Sequence, residues 1–113
     1  MPLRNLTNNS ILSKNTSVCT NFSKFIGLML SKNKKRALIF KFSREKIIAL
    51  HMLFVFYPID VLFLNEDKIV VDKKEKFNPF TFYKSKKKAM YAVELPDGSI
   101  KKSKTEIGDK IGF

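Results

Sequence analysis

Hydrophobic residues along this chain fall in short blocks separated by lysine-rich or turn-forming stretches. In Asn21–Leu30, the residues Phe22, Phe25, Ile26 and Met29 recur at i, i+3, i+4 and i+7. That spacing predicts a short helix with one apolar face, whose start Thr20 or Asn21 can cap. Ala37–Phe42, Ile47–Phe56, Ile59–Leu64, Ile69–Lys73, Ala89–Leu95 and Lys110–Phe113 are short apolar runs rich in Phe, Val and Ile, and they predict strands. Between them, Ser31–Arg36 reads as a basic loop, Ser43–Lys46 as a turn and Asn65–Lys68 as a hairpin turn. Lys74–Lys88 contains Asn78-Pro79 and reads mostly as loop. Asp97 is placed to cap a helical turn ending at Ser103, and Gly108-Asp109 forms the last turn.

About six strands joined by short connections, with two short helices, define an α+β, mainly β class. The expected architecture is a compact twisted antiparallel sheet or a small barrel, because short connections do not make parallel crossovers. With 113 residues the chain suits one domain that can bury a core without metal or disulfide. Residues 1–17, polar and rich in Asn, Ser and Thr, read as a poorly ordered leader or a short first strand, and 18–113 as the single domain.

Charge adds a second theme. The formal net charge is +12, which raises the question of a polyanionic partner. Only three of the 22 basic residues are arginine (Arg4, Arg36 and Arg44), and arginine is the residue whose planar fork reads phosphates and bases. Candidate anion-binding residues are Lys32, Lys34, Lys35 and Arg36 in one cluster and Lys86, Lys87 and Lys88 in another. Lys73/Lys74/Lys76 and Lys101/Lys102/Lys104 form two more. Phe77, Phe80, Phe82 and Tyr83 lie between two of these clusters, a composition shared by single-strand stacking platforms and by loops folded over a core. The expected consequence is weak, sequence-independent contact with nucleic acid.

No apolar export segment is read in Met1–Ser17. The apolar run Ile47–Leu64 is interrupted by His51, Pro58 and Asp60, and its pieces fall short of the ~20 residues a spanning helix needs. Cys19 is the only cysteine, which excludes an intrachain disulfide and a cysteine zinc site and fits a reducing compartment. The expected location is the cytoplasm, with no membrane contact.

Taken in order, several short motifs resemble one family. Gly27-Leu28-Met29 is followed by the strand Ala37–Phe42, then by His51-Met52 and by Pro58-Ile59-Asp60-Val61-Leu62-Phe63-Leu64. Glu94-Leu95-Pro96-Asp97-Gly98 and Ile107-Gly108-Asp109-Lys110-Ile111 complete the series. This order, from about Phe22 to Phe113, is similar to that of the domain of unknown function 192 family. The resemblance implies a compact β-rich fold and no settled chemistry. Where many members carry Trp-Met-Lys-Asn-Thr, this chain has His51-Met52-Leu53-Phe54-Val55, so no role of those polar groups carries over.

The candidate pocket residues are His51, the only histidine, and Asp60. A His–Asp pair on adjacent strands can act as a general base, but no nucleophile beside it completes a triad, and a structural role is expected for both. An aspartate flanked by Ile59 and Val61 must be paired or hydrogen-bonded if buried. One histidine and scattered acids make no metal box, and the four glycines form no phosphate loop, so no cofactor is expected. The leading functional expectation is a non-catalytic binding module for an unidentified ligand or partner. Lysine-driven RNA binding and an enzyme using His51 and Asp60 are the alternatives.

Overall fold

The structure is a computed structural model that describes residues 2–19, 37–51 and 57–113. The helix expected over Asn21–Leu30 and the basic cluster Lys32, Lys34, Lys35 and Arg36 lie outside the described residues.

Among the described residues, ten strands and one short helix follow in order: β1 (Leu3–Asn5), β2 (Ser10–Ser13), β3 (Thr16–Cys19), β4 (Ala37–Lys46), β5 (Ala49–His51), β6 (Ile59–Leu64), β7 (Val70–Phe77), β8 (Phe82–Lys84), β9 (Ala89–Pro96), α1 (Ser99–Ser103) and β10 (Ile111–Gly112). They form a five-stranded sheet, β3-β4-β9-β6-β7, a three-stranded sheet, β10-β1-β2, and a two-stranded ribbon, β5-β8. The fold is mainly β, but among the described residues the strands are divided among separate sheets and do not close into the small barrel named as one expectation. Among the described residues there is one helix, α1, at the second of the two expected positions.

The five-stranded sheet is covered on both faces, which explains why β6 is buried at every position. Period-two alternation sends Ile39, Leu62, Leu64, Val93 and Leu95 to one face, where they meet Leu3 and Leu12 of the small sheet, Ile100 of α1 and Ile111. It sends Leu38, Phe40, Val61, Phe63 and Ala92 to the other, where they meet Ile48 and Phe77, with Leu50 and Tyr83 of the ribbon packed against them. The ribbon therefore roofs the second face, and the small sheet with α1 roofs the first.

One pairing departs from the antiparallel expectation: β3 runs parallel to β4, with Thr16 opposite Ala37 and Cys19 opposite Phe40. Residues 20–36 lie between the two strands, a connection of the length a parallel crossover requires. The N-terminal segment, expected as a leader or short first strand, holds β1, β2 and part of the β3 edge. Asn5 anchors it. Its buried Nδ2 donates to Thr105 Oγ1 (3.1 Å) and Asp109 Oδ2 (2.9 Å), and its Oδ1 accepts the N–H groups of Thr7 and Asn8.

Two backbone irregularities bear on function. Ile59 pairs with Phe77 and Val61 with Lys74, so Asp60 alone faces both Glu75 and Lys76, a β-bulge with Lys76 at φ 48°. In the turn between β7 and β8, Phe80 sits at φ 62° just after Pro79, and Thr81 Oγ1 donates to the Asn78 carbonyl (2.5 Å). Turns take glycine or asparagine at such a position, and a left-handed bulky residue costs about 1–2 kcal/mol.

Candidate functional site

Asp60 lies in the middle of the sheet with no accessible surface. It pairs with Leu95 and shares the first face with it. Its Oδ1 accepts the Lys76 N–H (3.1 Å), the donor that the bulge removes from the ladder, and its Oδ2 accepts the Ile100 N–H (2.9 Å) in the first turn of α1. Asp97, expected to cap this helix, does not do so. Gly98 holds the N-cap position at φ 86° without a side-chain cap, and Asp60, far back in sequence, satisfies the orphan N–H instead. Both oxygens of the carboxylate thus hold backbone in place.

His51 occupies the last position of β5, in register with Phe82 of β8. Its side chain lies outside the described residues. The ribbon that carries it packs on the second face of the sheet, whereas the Asp60 carboxylate bonds α1 on the first.

Sequence reasoning passed over two other acids. Glu94 pairs with Leu38 of β4 and Val61 of β6, both of the second face, and is buried among them. Burial pushes its carboxyl from the ordinary 4.5 up to about 8, because an apolar setting disfavours the charged form. The Tyr57 hydroxyl is raised in turn, by its own burial and then by the nearby Glu94 charge. The signal available in the sequence was a lone Glu between Val93 and Leu95.

Asp72, on β7, organises the loop after the ribbon. Its Oδ2 accepts the Tyr83 hydroxyl (2.7 Å) and the Lys86 N–H (2.9 Å), and its Oδ1 accepts the Lys73 N–H (2.8 Å). Tyr83 is held inward, near Phe63 and Phe77, and its hydroxyl is pushed up to about 12 by burial and by the bond to Asp72. Buried Ser85 ties the same loop to Ile48: its N–H donates to the Ile48 carbonyl (2.8 Å), and its Oγ accepts the Ile48 N–H (2.9 Å) and donates to the Lys87 carbonyl (2.8 Å). With Tyr83 and Ser85 turned in, alternation turns Phe82, Lys84 and Lys86 out, and Lys87 and Lys88 are exposed beside them.

Among the described residues no three of His, Cys, Asp and Glu stand together as a metal site, and no helix is long and apolar enough to cross a membrane.

Comparison with known proteins places this sheet-and-ribbon arrangement among proteins without an assigned chemistry. The model of the domain of unknown function 192, described as an uncharacterized ACR, matches residues 8–113, and the chain belongs to that family. A UPF0127 protein of Thermococcus sibiricus is 41% identical over 96 residues, covering 83% of this chain and 62% of the relative. A UPF0127 protein of Pyrococcus furiosus is 43% identical over 94 residues, covering 80% and 79%. The chain thus spans less than two thirds of the Thermococcus sibiricus relative's length. The fold is shared with the crystal structure of a protein of unknown function from Novosphingobium aromaticivorans (TM-score 0.83, 14% identity, 100% of this chain and 84% of that one). It is also shared with one from Sinorhizobium meliloti described as a candidate transcription regulator (TM-score 0.80, 18% identity, 98% and 89%).

Proposed function

We propose that this domain is a non-catalytic binding module. The observation that carries the reading is the state of Asp60: each of its oxygens accepts a backbone N–H, one from a bulge and one from a helix start. A carboxylate committed to two fixed donors inside the sheet is a fold element, and a general base must reach a substrate proton. This argues against the enzyme that would use His51 and Asp60. Lys86, Lys87 and Lys88, on a loop held by Asp72 and Ser85, give the module an exposed cationic edge suited to an anionic partner.

The test is the thermal melt of Asp60→Ala. Two buried donors left unpaired cost on the order of 2–4 kcal/mol, so the melting temperature is expected to fall by roughly ten degrees or more. An unchanged melt would mean that the carboxylate is dispensable to the fold and open to chemistry.

A second reading has one observation behind it. If the domain performs acid–base chemistry, the group suited to it is Glu94, whose carboxyl holds its proton to about pH 8 on the second face beside Tyr57.

A further inference from the structure

We propose that the cleft between β2 and α1 is a binding site for a small zwitterion of the α-amino-acid class that carries an apolar side chain. The inference rests on the binding-module reading and names a ligand class for it.

Four observations converge on this cleft. First, its dimensions suit a small ligand. Its volume is about 540 Å³, inside the ~300–1,000 Å³ range of small-molecule sites. Ser10, Ile11 and Leu12 of β2 form one wall, Pro96 and Asp97 lie where β9 ends, and Lys102 stands on α1. Second, the cleft carries one charge of each sign. Asp97 and Lys102 both line it, and among the described residues neither side chain makes a hydrogen bond or an ion pair. Opposite charges that share a cleft without meeting leave room between them for a molecule that bears both. Third, Asp97 is released from the task its position suggests. The sequence places it to cap α1, but Gly98 holds the N-cap position and Asp60 accepts the Ile100 N–H. Its exposed carboxylate is thus available to a partner outside the fold. Fourth, the walls are set before any ligand arrives. Asn8 Nδ2 donates to the Ser103 carbonyl (2.8 Å), and Asn8 Oδ1 accepts the Ser10 N–H (3.0 Å), which ties the start of β2 to the end of α1. The Asp60–Ile100 bond fixes α1 to the main sheet. A cleft already in place spares the complex the cost of ordering it.

Recognition falls to the two charges, because the hydroxyls of Ser99 and Ser103 donate to the Pro96 and Ile100 carbonyls. The ligand's ammonium pairs with the Asp97 carboxylate and its carboxylate with the Lys102 ammonium, both as charge-assisted hydrogen bonds. Ile11, 53% exposed, and Pro96 give its side chain an apolar surface. A simple anion would meet Asp97 as a like charge, and a simple cation would meet Lys102. The pair therefore selects for a ligand that carries both groups.

The experiment is a titration of the full chain followed by amide chemical shifts. The probes are L-leucine, isocaproate, which lacks the ammonium, and isoamylamine, which lacks the carboxylate. Glycine and phosphoethanolamine are the controls, and melting temperatures are recorded for every variant. Leucine is expected to bind saturably and more tightly than the other four. Asp97→Asn and Lys102→Gln are each expected to weaken leucine binding by roughly 5- to 10-fold, about the worth of one charge-assisted bond at a partly exposed site. The preference for leucine over isocaproate is expected to vanish in Asp97→Asn, and the preference over isoamylamine in Lys102→Gln. Ile11→Ser is expected to narrow the preference over glycine. Lys101→Gln, which removes the same charge from a residue lining a different cleft, is expected to bind as wild type does.

Absence of saturable leucine binding would overturn the proposal, as would wild-type affinity in both Asp97→Asn and Lys102→Gln. An equal loss in Lys101→Gln would overturn it in favour of a general effect of net charge. Tighter binding of phosphoethanolamine than of leucine would overturn it in favour of a lipid headgroup. The Asp60→Ala melt is read separately, so the binding-module reading stands or falls independently of these outcomes.

Discussion

The Asp60 carboxylate accepts the Ile100 amide proton at 2.9 Å, tying β6, an inner strand of the main sheet, to the helix that roofs its first face. The same carboxylate satisfies the Lys76 N–H that a bulge removes from the ladder. One buried acid thus repairs two breaks in backbone hydrogen bonding, and neither break is visible in the local sequence around it.

Asn5 plays a comparable part at the other end of the chain. Its side chain links β1 to Thr105 and Asp109 and closes the following turn through Thr7 and Asn8. Asn5→Ala is expected to cost on the order of 2–3 kcal/mol, because buried partners lose their hydrogen bonds. Urea denaturation checks this, and a midpoint equal to wild type would show that the N-terminal sheet adds nothing to stability.

Glu94 sets a pH dependence. Its folded pKa, about 8, stands above the ordinary 4.5, so between those values the folded state holds a proton that the unfolded state has released. Stability from this group is fully present below about pH 4.5 and is lost as pH rises through about 8, at a slope of up to about 1.4 kcal/mol per pH unit. Glu94→Gln is expected to remove that slope. Urea midpoints at pH 5, 7 and 9 for both proteins provide the check, and parallel profiles would contradict the assignment.

The Tyr83 hydroxyl, bonded to Asp72, gives a second pH dependence. With the Tyr83 hydroxyl pushed up to about 12, one tyrosine is expected to resist ionisation through the ordinary range near pH 10. The stability it contributes is present below pH 10 and lost as pH rises toward 12. Spectrophotometric titration reports it directly. Tyr83→Phe is expected to abolish the late step and to cost about 1 kcal/mol, the net worth of one hydrogen bond. A wild-type titration with no step above pH 11 would sink this reading.

Legibility in the sequence followed apolar content. β6 runs over Ile59–Leu64, the bounds expected from its largely apolar sequence, and β9 differs from its expected span only by including Pro96. β7 continues to Phe77, although Lys74–Lys76 reads as the start of a loop. As an edge strand it carries charge on its free side, and such charge deters pairing with another chain. β4 likewise continues through Ser43–Lys46, which reads as a turn. β1, β2 and β3 are three or four residues each and depend on distant partners such as Ile111 and Ala37, so no local periodicity announces them. At the site, burial of Asp60 followed from its apolar neighbours, but its partners came from a bulge and a helix start that tertiary structure creates. Glu94 was read only as the first residue of the Glu94–Gly98 motif, because its burial is set by pairing with Leu38 and Val61 on distant strands.

The account turns on Asp60 being held by the fold, and amide hydrogen exchange reads that state most directly. In wild type, the Ile100 and Lys76 amides are expected to exchange as slowly as core amides such as Val93. In Asp60→Ala they are expected to lose at least about tenfold of that protection relative to Val93, about 1.4 kcal/mol for each bond removed. Rapid exchange of both amides in wild type would contradict the account, because the carboxylate would then be free to serve a substrate.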